Sequence, residues 1–177
     1  MGDSISASYG IQTEEGWVHL LGRTLKEREY PHVVVNGSIS GETTSGGLAR
    51  LPQALEAHDP AIVIIELGGN DGLRGYPTNT VQANLRQMVD LSLAGNRAVL
   101  LVGMQIPPNY GARYTQAFFG MYGSVADATG VPLVPFFLEQ VALQQGLMQD
   151  DGIHPTAEAQ PLLLETLWPH LEPLLGP

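Results

Sequence analysis

Residues 61–72 read AIVIIELGGNDG, an apolar run that stops abruptly in glycine and small polar residues. A strand exposed on one face alternates apolar and polar side chains. An apolar run such as 61–67 is instead the mark of a strand covered on both faces in a parallel sheet. The runs AVLLVG (98–103) and PLVPF (132–136) lie downstream, and the shorter HVVVN (32–36) lies upstream. Between them the apolar spacing changes to a helical period. EEGWVHLLGRTLKERE (14–29) places Trp17, Leu20, Leu21 and Leu25 on one face. A second helical stretch carries Leu48, Leu51 and Leu55, with Pro52 expected to kink or restart it. Val81, Leu85, Met88 and Val89 mark a third, and residues 113–128 a fourth. The last puts Leu164, Leu167, Trp168, Leu171, Leu174 and Leu175 on one stripe. Strand and helix therefore alternate, which predicts an α/β fold with a parallel sheet and helices on both faces. No linker or internal repeat divides the chain, so one domain is expected over residues 1–177. Ligands in such sheets bind beyond the carboxyl ends of the strands, so the loops there carry the chemistry.

The bulk properties narrow the partners. An apolar fraction of 44% with 15% charged residues is globular in character. The net charge of −10, with only 8 scattered Lys and Arg, argues against nucleic acid or anionic membranes as partners. Cysteine is absent, which removes disulfides, thiolate metal sites and cysteine nucleophiles together. No apolar run approaches the roughly 18 residues needed to span a bilayer, so no stable membrane insertion is expected. No signal peptide is visible, because Met1 is followed at once by Gly2, Asp3 and Ser4.

Four stretches are rich in glycine and small polar residues: GDSIS (2–6), NGSISGET (36–43), GGNDG (68–72) and DDGIHP (150–155). In DDGIHP, Asp151 lies three residues before His154 and can hold one ring nitrogen while the other acts as a base. Taken alone it also reads as a loop whose aspartate caps the helix beginning near Thr156, with His154 a solvated bystander. In GDSIS, Ser4 on a tight turn is a candidate nucleophile, or alternatively a helix N-cap with Asp3 as a turn former. Gly41 offers an unobstructed backbone N–H and Asn70 a side-chain amide, both suited to an oxyanion; both are also ordinary turn residues. His19, His32, His58 and His170 lack a loop setting with a carboxylate partner and are read as structural or solvated. No H-E-x-x-H, P-loop, G-x-G-x-x-G or G-x-S-x-G motif is present.

Taken in order, the four stretches resemble the Ser, Gly, Asn and His blocks of the SGNH (GDSL-type) hydrolase superfamily. SISG (38–41), ARLP (49–52), ELGGNDGLRG (66–75), PPNYG (107–111), PFF (135–137) and MQDDGIHP (148–155) look like its bacterial thioesterase, lysophospholipase and arylesterase branch. The resemblance implies a flavodoxin-like three-layer fold with strand order 2-1-3-4-5, and neither metal nor organic cofactor. It implies Ser4 as nucleophile, His154 as base and then acid, and Asp151 as the group orienting His154. The N–H groups of Ser4 and Gly41 with the Asn70 amide would form the oxyanion hole. Substrates would be small acyl esters, thioesters or lysophospholipids, and members are often periplasmic or secreted. LRGYPTN (73–79) would be mobile and line an acyl groove, with Leu73, Tyr76 and Pro77 in it. Ile106, Pro107, Pro108 and Tyr110 would stand at its mouth and favour acyl chains. A carbohydrate O-acetylesterase with a more polar pocket is the rival enzyme, and a silent flavodoxin-like binding module the rival of another class.

Two departures stand out. The second block reads NGS where NAS is the pattern, so Gly37 is expected to loosen that turn. Family members also carry an apolar strand directly before the GDS block, and none precedes Gly2 here. Met1 is therefore expected to be internal to a longer product, or the gap to be met by rearrangement or by a second subunit.

Overall fold

Three parallel strands, β1 (Ile62–Ile65), β2 (Ala98–Val102) and β3 (Leu133–Val134), form one sheet in that order in the computed structural model, which describes residues 1–176. Ile62 pairs with Ala98 and Ile65 with Leu101, then Leu101 with Leu133. Val99, Leu100, Leu101 and Val102 are all essentially inaccessible, as consecutive residues can be only when both faces are covered. The cover is α1 (Trp17–Glu27), α2 (Thr44–His58), a short α3 (Gly69–Leu73), α4 (Thr78–Leu93), α5 (Ala112–Thr129) and α6 (Gln160–Leu171). α1 packs on α6, while α4 packs on both α2 and α5. Val81, Leu85, Met88 and Val89 of α4 are all fully buried, the i, i+4, i+7, i+8 pattern of a core-facing stripe.

Several expectations need correction. Pro52 sits inside a continuous α2. PLVPF contributes only two paired residues, because Pro135 has no N–H for the ladder. GGNDG is not a loop: residues 69–73 form the single turn and a half of α3. The buried seam of the last helix runs through Leu163, Leu167, Leu171 and Leu175, with Leu164, Trp168 and Leu174 half-buried beside it.

The largest correction concerns HVVVN, which forms no strand. A strand needs a neighbour paired through the backbone, and among the described residues 32–36 have no such bond; Val33 is 88% exposed and Val35 56%. Between this segment and β1 lies a cavity of about 220 Å³, lined by Leu21, Val34, Leu51, Leu55, Ile62 and Ile64. Of the five strands implied by the family resemblance, the observed three are therefore the last three. The first residues only begin a pairing with β1. The Met1 amino group donates to the Ile64 carbonyl at 2.9 Å, and the Glu66 N–H donates to the Met1 carbonyl at 2.9 Å. Gly2 forms an isolated parallel bridge with Glu66. No other segment among the described residues fills the slot.

Candidate active site

β1 ends at the place where Gly2 meets Glu66, so the backbone delivers Asp3 and Ser4 to the carboxyl edge of the sheet. The chain then turns at once. The Ala7 N–H donates to the Asp3 carbonyl and the Tyr9 N–H to the Ser4 carbonyl, each at 3.0 Å. One Asp3 carboxylate oxygen accepts from the Ile5 N–H at 3.0 Å. Asp3 is thus the turn former that its residue type suggests. Its other oxygen accepts from the Asn70 amide at 3.1 Å. This second bond was not legible in the sequence.

Beneath Asp3 lies a second buried carboxyl. Glu66 accepts from the Asp3 N–H at 3.3 Å and from the Ser6 hydroxyl at 2.6 Å. Burial pushes the Asp3 carboxyl up to about 6, against the opposing hydrogen bonds from Ile5 and Asn70. Burial, and then the neighbouring Asp3 charge, raises Glu66 well above the usual glutamate range.

The Gly41 and Asn70 segments are bolted together. Asp71, 1% exposed, accepts from the Thr44 N–H at 2.9 Å and from the Thr44 hydroxyl at 2.7 Å. Arg74 donates to the Gly41 carbonyl at 3.1 Å. Gly41 has φ of +80°, a region that residues with a Cβ rarely enter. Among the described residues, neither the Ser4 nor the Gly41 N–H donates to a backbone carbonyl. Gly37 does not loosen its turn, since Asn36 accepts from the Ser38 N–H at 3.1 Å and donates to the Ser6 carbonyl at 2.9 Å.

From the far end of the chain, DDGIHP folds back on itself. Asp151 accepts from the Ile153 and His154 N–H groups at 2.9 and 3.0 Å, while its other oxygen lies 2.6 Å from His154 Nδ1. Partial burial would push the Asp151 carboxyl up. The bonds from the His154 ring and the two N–H groups outweigh this and hold it at about 2. His154 Nε2 lies 2.8 Å from Ser4 Oγ. A hydroxyl, an imidazole and a carboxylate in hydrogen-bonded series can move a proton off the hydroxyl as it attacks. Among the described residues no group of three His, Asp or Glu side chains converges as a metal site would need.

The GDSL-like Lipase/Acylhydrolase family matches residues 1–161, a span that holds all four blocks. The chain belongs to that family. Esterase TesA of Pseudomonas aeruginosa is 55% identical over 175 residues, covering 99% of this chain and 87% of the relative. The thioesterase 1/protease 1/lysophospholipase L1 of Escherichia coli K12 is 44% identical over 176 residues, covering 99% and 83%. The crystal structure of a psychrotrophic esterase, EstA from a Pseudoalteromonas species, superimposes with a TM-score of 0.94 at 42% identity, covering 100% and 97%. This GDSL-like acylhydrolase is a carboxylic ester hydrolase with the SGNH fold.

The segment expected to line an acyl groove is held by two tyrosines. Tyr110 donates to the Leu73 carbonyl at 2.8 Å and Tyr114 to the Tyr76 carbonyl at 2.6 Å. Tyr76, Pro77, Pro107, Pro108 and Tyr110 are exposed and Leu73 is half-buried. Ile106 differs from expectation: it is buried against α3, where a Cβ on Gly72 would come within 2.6 Å of its methyl group. The 220 Å³ cavity does not open at Ser4 and His154 but lies along the free edge of β1.

Proposed function

We propose that this esterase works through an acyl-enzyme on Ser4. The observation that carries the reading is the continuous contact from Ser4 Oγ to His154 Nε2 (2.8 Å) and from His154 Nδ1 to Asp151 (2.6 Å). His154 takes the Ser4 proton as the hydroxyl oxygen attacks the acyl carbon, then gives it to the leaving alcohol or thiol. Water repeats the sequence to release the acid. Asp151 stays ionised throughout the working range, because its carboxyl is held at about 2. The N–H groups of Ser4 and Gly41 and the amide of Asn70 meet the negative oxygen of the tetrahedral intermediate. Asp3 holds that amide in place from behind.

The substrates are esters and thioesters with apolar acyl chains, received between residues 73–77 and 107–110. Exposed Tyr76 and Tyr110 support this over a polar sugar subsite. The thioesterase and lysophospholipase names of the Escherichia coli relative point the same way. Ser4→Ala should lower kcat at least ~10³-fold while the protein stays folded. The Pseudoalteromonas esterase was crystallised inhibited by monoethylphosphonate. The same class of reagent should label this chain on Ser4. A p-nitrophenyl ester series from acetate to palmitate, run beside acyl-CoA and an acetylated sugar, tests the substrate class. Near wild-type turnover by Ser4→Ala overturns the nucleophile. Activity confined to the acetylated sugar overturns the acyl-chain reading.

A further inference from the structure

Tyr9 is 52% exposed, yet its ring lies tilted against the general base of the proposed mechanism. The Tyr9 and His154 ring centroids are 4.4 Å apart and the planes differ by 35°. Its hydroxyl makes no hydrogen bond among the described residues, so the ring face is what Tyr9 presents.

The backbone around it is built to hold that face in place. Ser8 takes φ of +58° and Gly10 φ of +77°, so left-handed residues flank Tyr9 on both sides. Between them the Tyr9 N–H is tied to the Ser4 carbonyl. Gln149 completes the frame from the other block. Its amide donates to the Tyr9 carbonyl at 2.9 Å and to the Pro155 carbonyl at 3.0 Å, and its backbone N–H donates to the His154 carbonyl at 2.8 Å. A Cβ on Gly10 would overlap the Gln149 side chain. One residue thus bonds to the backbone on both sides of the ring pair.

We propose that Tyr9 is a positioning residue for the base: its ring keeps His154 aligned on Ser4 and attracts the positive charge that the imidazole takes up with the Ser4 proton. The inference rests on the proposed role of His154. An aromatic face carries partial negative charge and attracts a cation within about 6 Å of its centroid. His154 carries its positive charge only after it has taken the Ser4 proton. The attraction is therefore felt in the transition state more than in the resting enzyme, which is the condition for raising kcat.

Three variants test it, each checked for folding by thermal unfolding. Tyr9→Leu should lower kcat on a p-nitrophenyl ester by about three- to thirtyfold with KM nearly unchanged. Tyr9→Phe keeps the ring and should stay within about twofold of wild type. In a His154→Ala background, Tyr9→Leu should leave the residual rate unchanged, because Tyr9 acts through the imidazole. Wild-type kcat in Tyr9→Leu overturns the proposal. So does an equal loss in Tyr9→Phe, which would make the hydroxyl the active feature. A loss of the same size in the His154→Ala background overturns it too, since Tyr9 would then act on substrate directly. Full turnover by His154→Ala alone overturns the base itself, and is recognisable because Tyr9 is untouched.

Discussion

Two regions flank β1, and they are held by different means. At its carboxyl end, Asp3, Thr44, Asn70 and Asp71 form a set of buried or half-buried hydrogen bonds between segments far apart in sequence. Along its free edge, residues 32–36 run beside a 220 Å³ cavity with two valines turned out to solvent. Directional polar bonds fix the first region atom by atom. The second depends on apolar burial and strand pairing, which need a neighbour of the right shape. The candidate site can therefore hold its geometry while the edge beside it leaves a cavity.

The sharpest way to break the polar set is at Asn70. Asn70→Ala should lower kcat by about 10²–10³-fold with little change in KM, as expected when a donor to developing charge is removed. A rise in KM with kcat intact would make Asn70 a turn or binding residue instead.

The edge can be probed without touching the site. Joining an apolar segment of about five Val, Leu or Ile residues ahead of Gly2 should let a strand enter the slot. Each apolar side chain buried there contributes about 1.5–3 kcal/mol, offset by about 1.5 kcal/mol per residue ordered. A net gain of about 3 kcal/mol corresponds to a rise in Tm of roughly 10 °C for a chain of this size. An unchanged Tm would show that the slot does not accept a strand. A large rise in kcat alongside Tm would show that the two regions are coupled after all.

The smallest expected effect concerns the carboxyl pair below the turn. Glu66 binds its proton more tightly folded than unfolded, and so does Asp3, up to about 6. Folding therefore takes up protons at this pair, and the pair's contribution to stability is greatest in acid and falls as the pH rises through these raised values. Glu66→Gln cannot titrate, so its plot of Tm against pH should fall less steeply above about pH 5 than that of wild type. Identical slopes would mean that Glu66 is ionised in the folded protein.

What the sequence displayed depended on whether the signal was local. β2 and α4 could be read because a run buried on both faces and a stripe of period 3.6 are written in the residues themselves. HVVVN carries the same kind of signal and misled, because strand formation is decided by a neighbour and not by valine content. Each of the four blocks was ambiguous alone, and their order made the family, and with it the candidate site, legible. The supporting groups left no such trace. Asp71 finds its partner 27 residues away, and Glu66 finds the Ser6 hydroxyl 60 residues away. An exposed tyrosine in a loop, such as Tyr9, belongs to no periodic pattern.

The contact between Ser4 and His154 spans 150 residues, and the Gln160 carboxamide meets the Trp17 N–H across 143. Contacts of such separation need both ends of the chain in place, and non-local pairing of this kind is slow to form. No folding intermediate that lacks either end can hydrolyse an ester by this route. In a refolding experiment, returning activity should therefore lag behind the return of helix and coincide with the slowest tertiary phase, which makes turnover itself a clock for the completion of the fold.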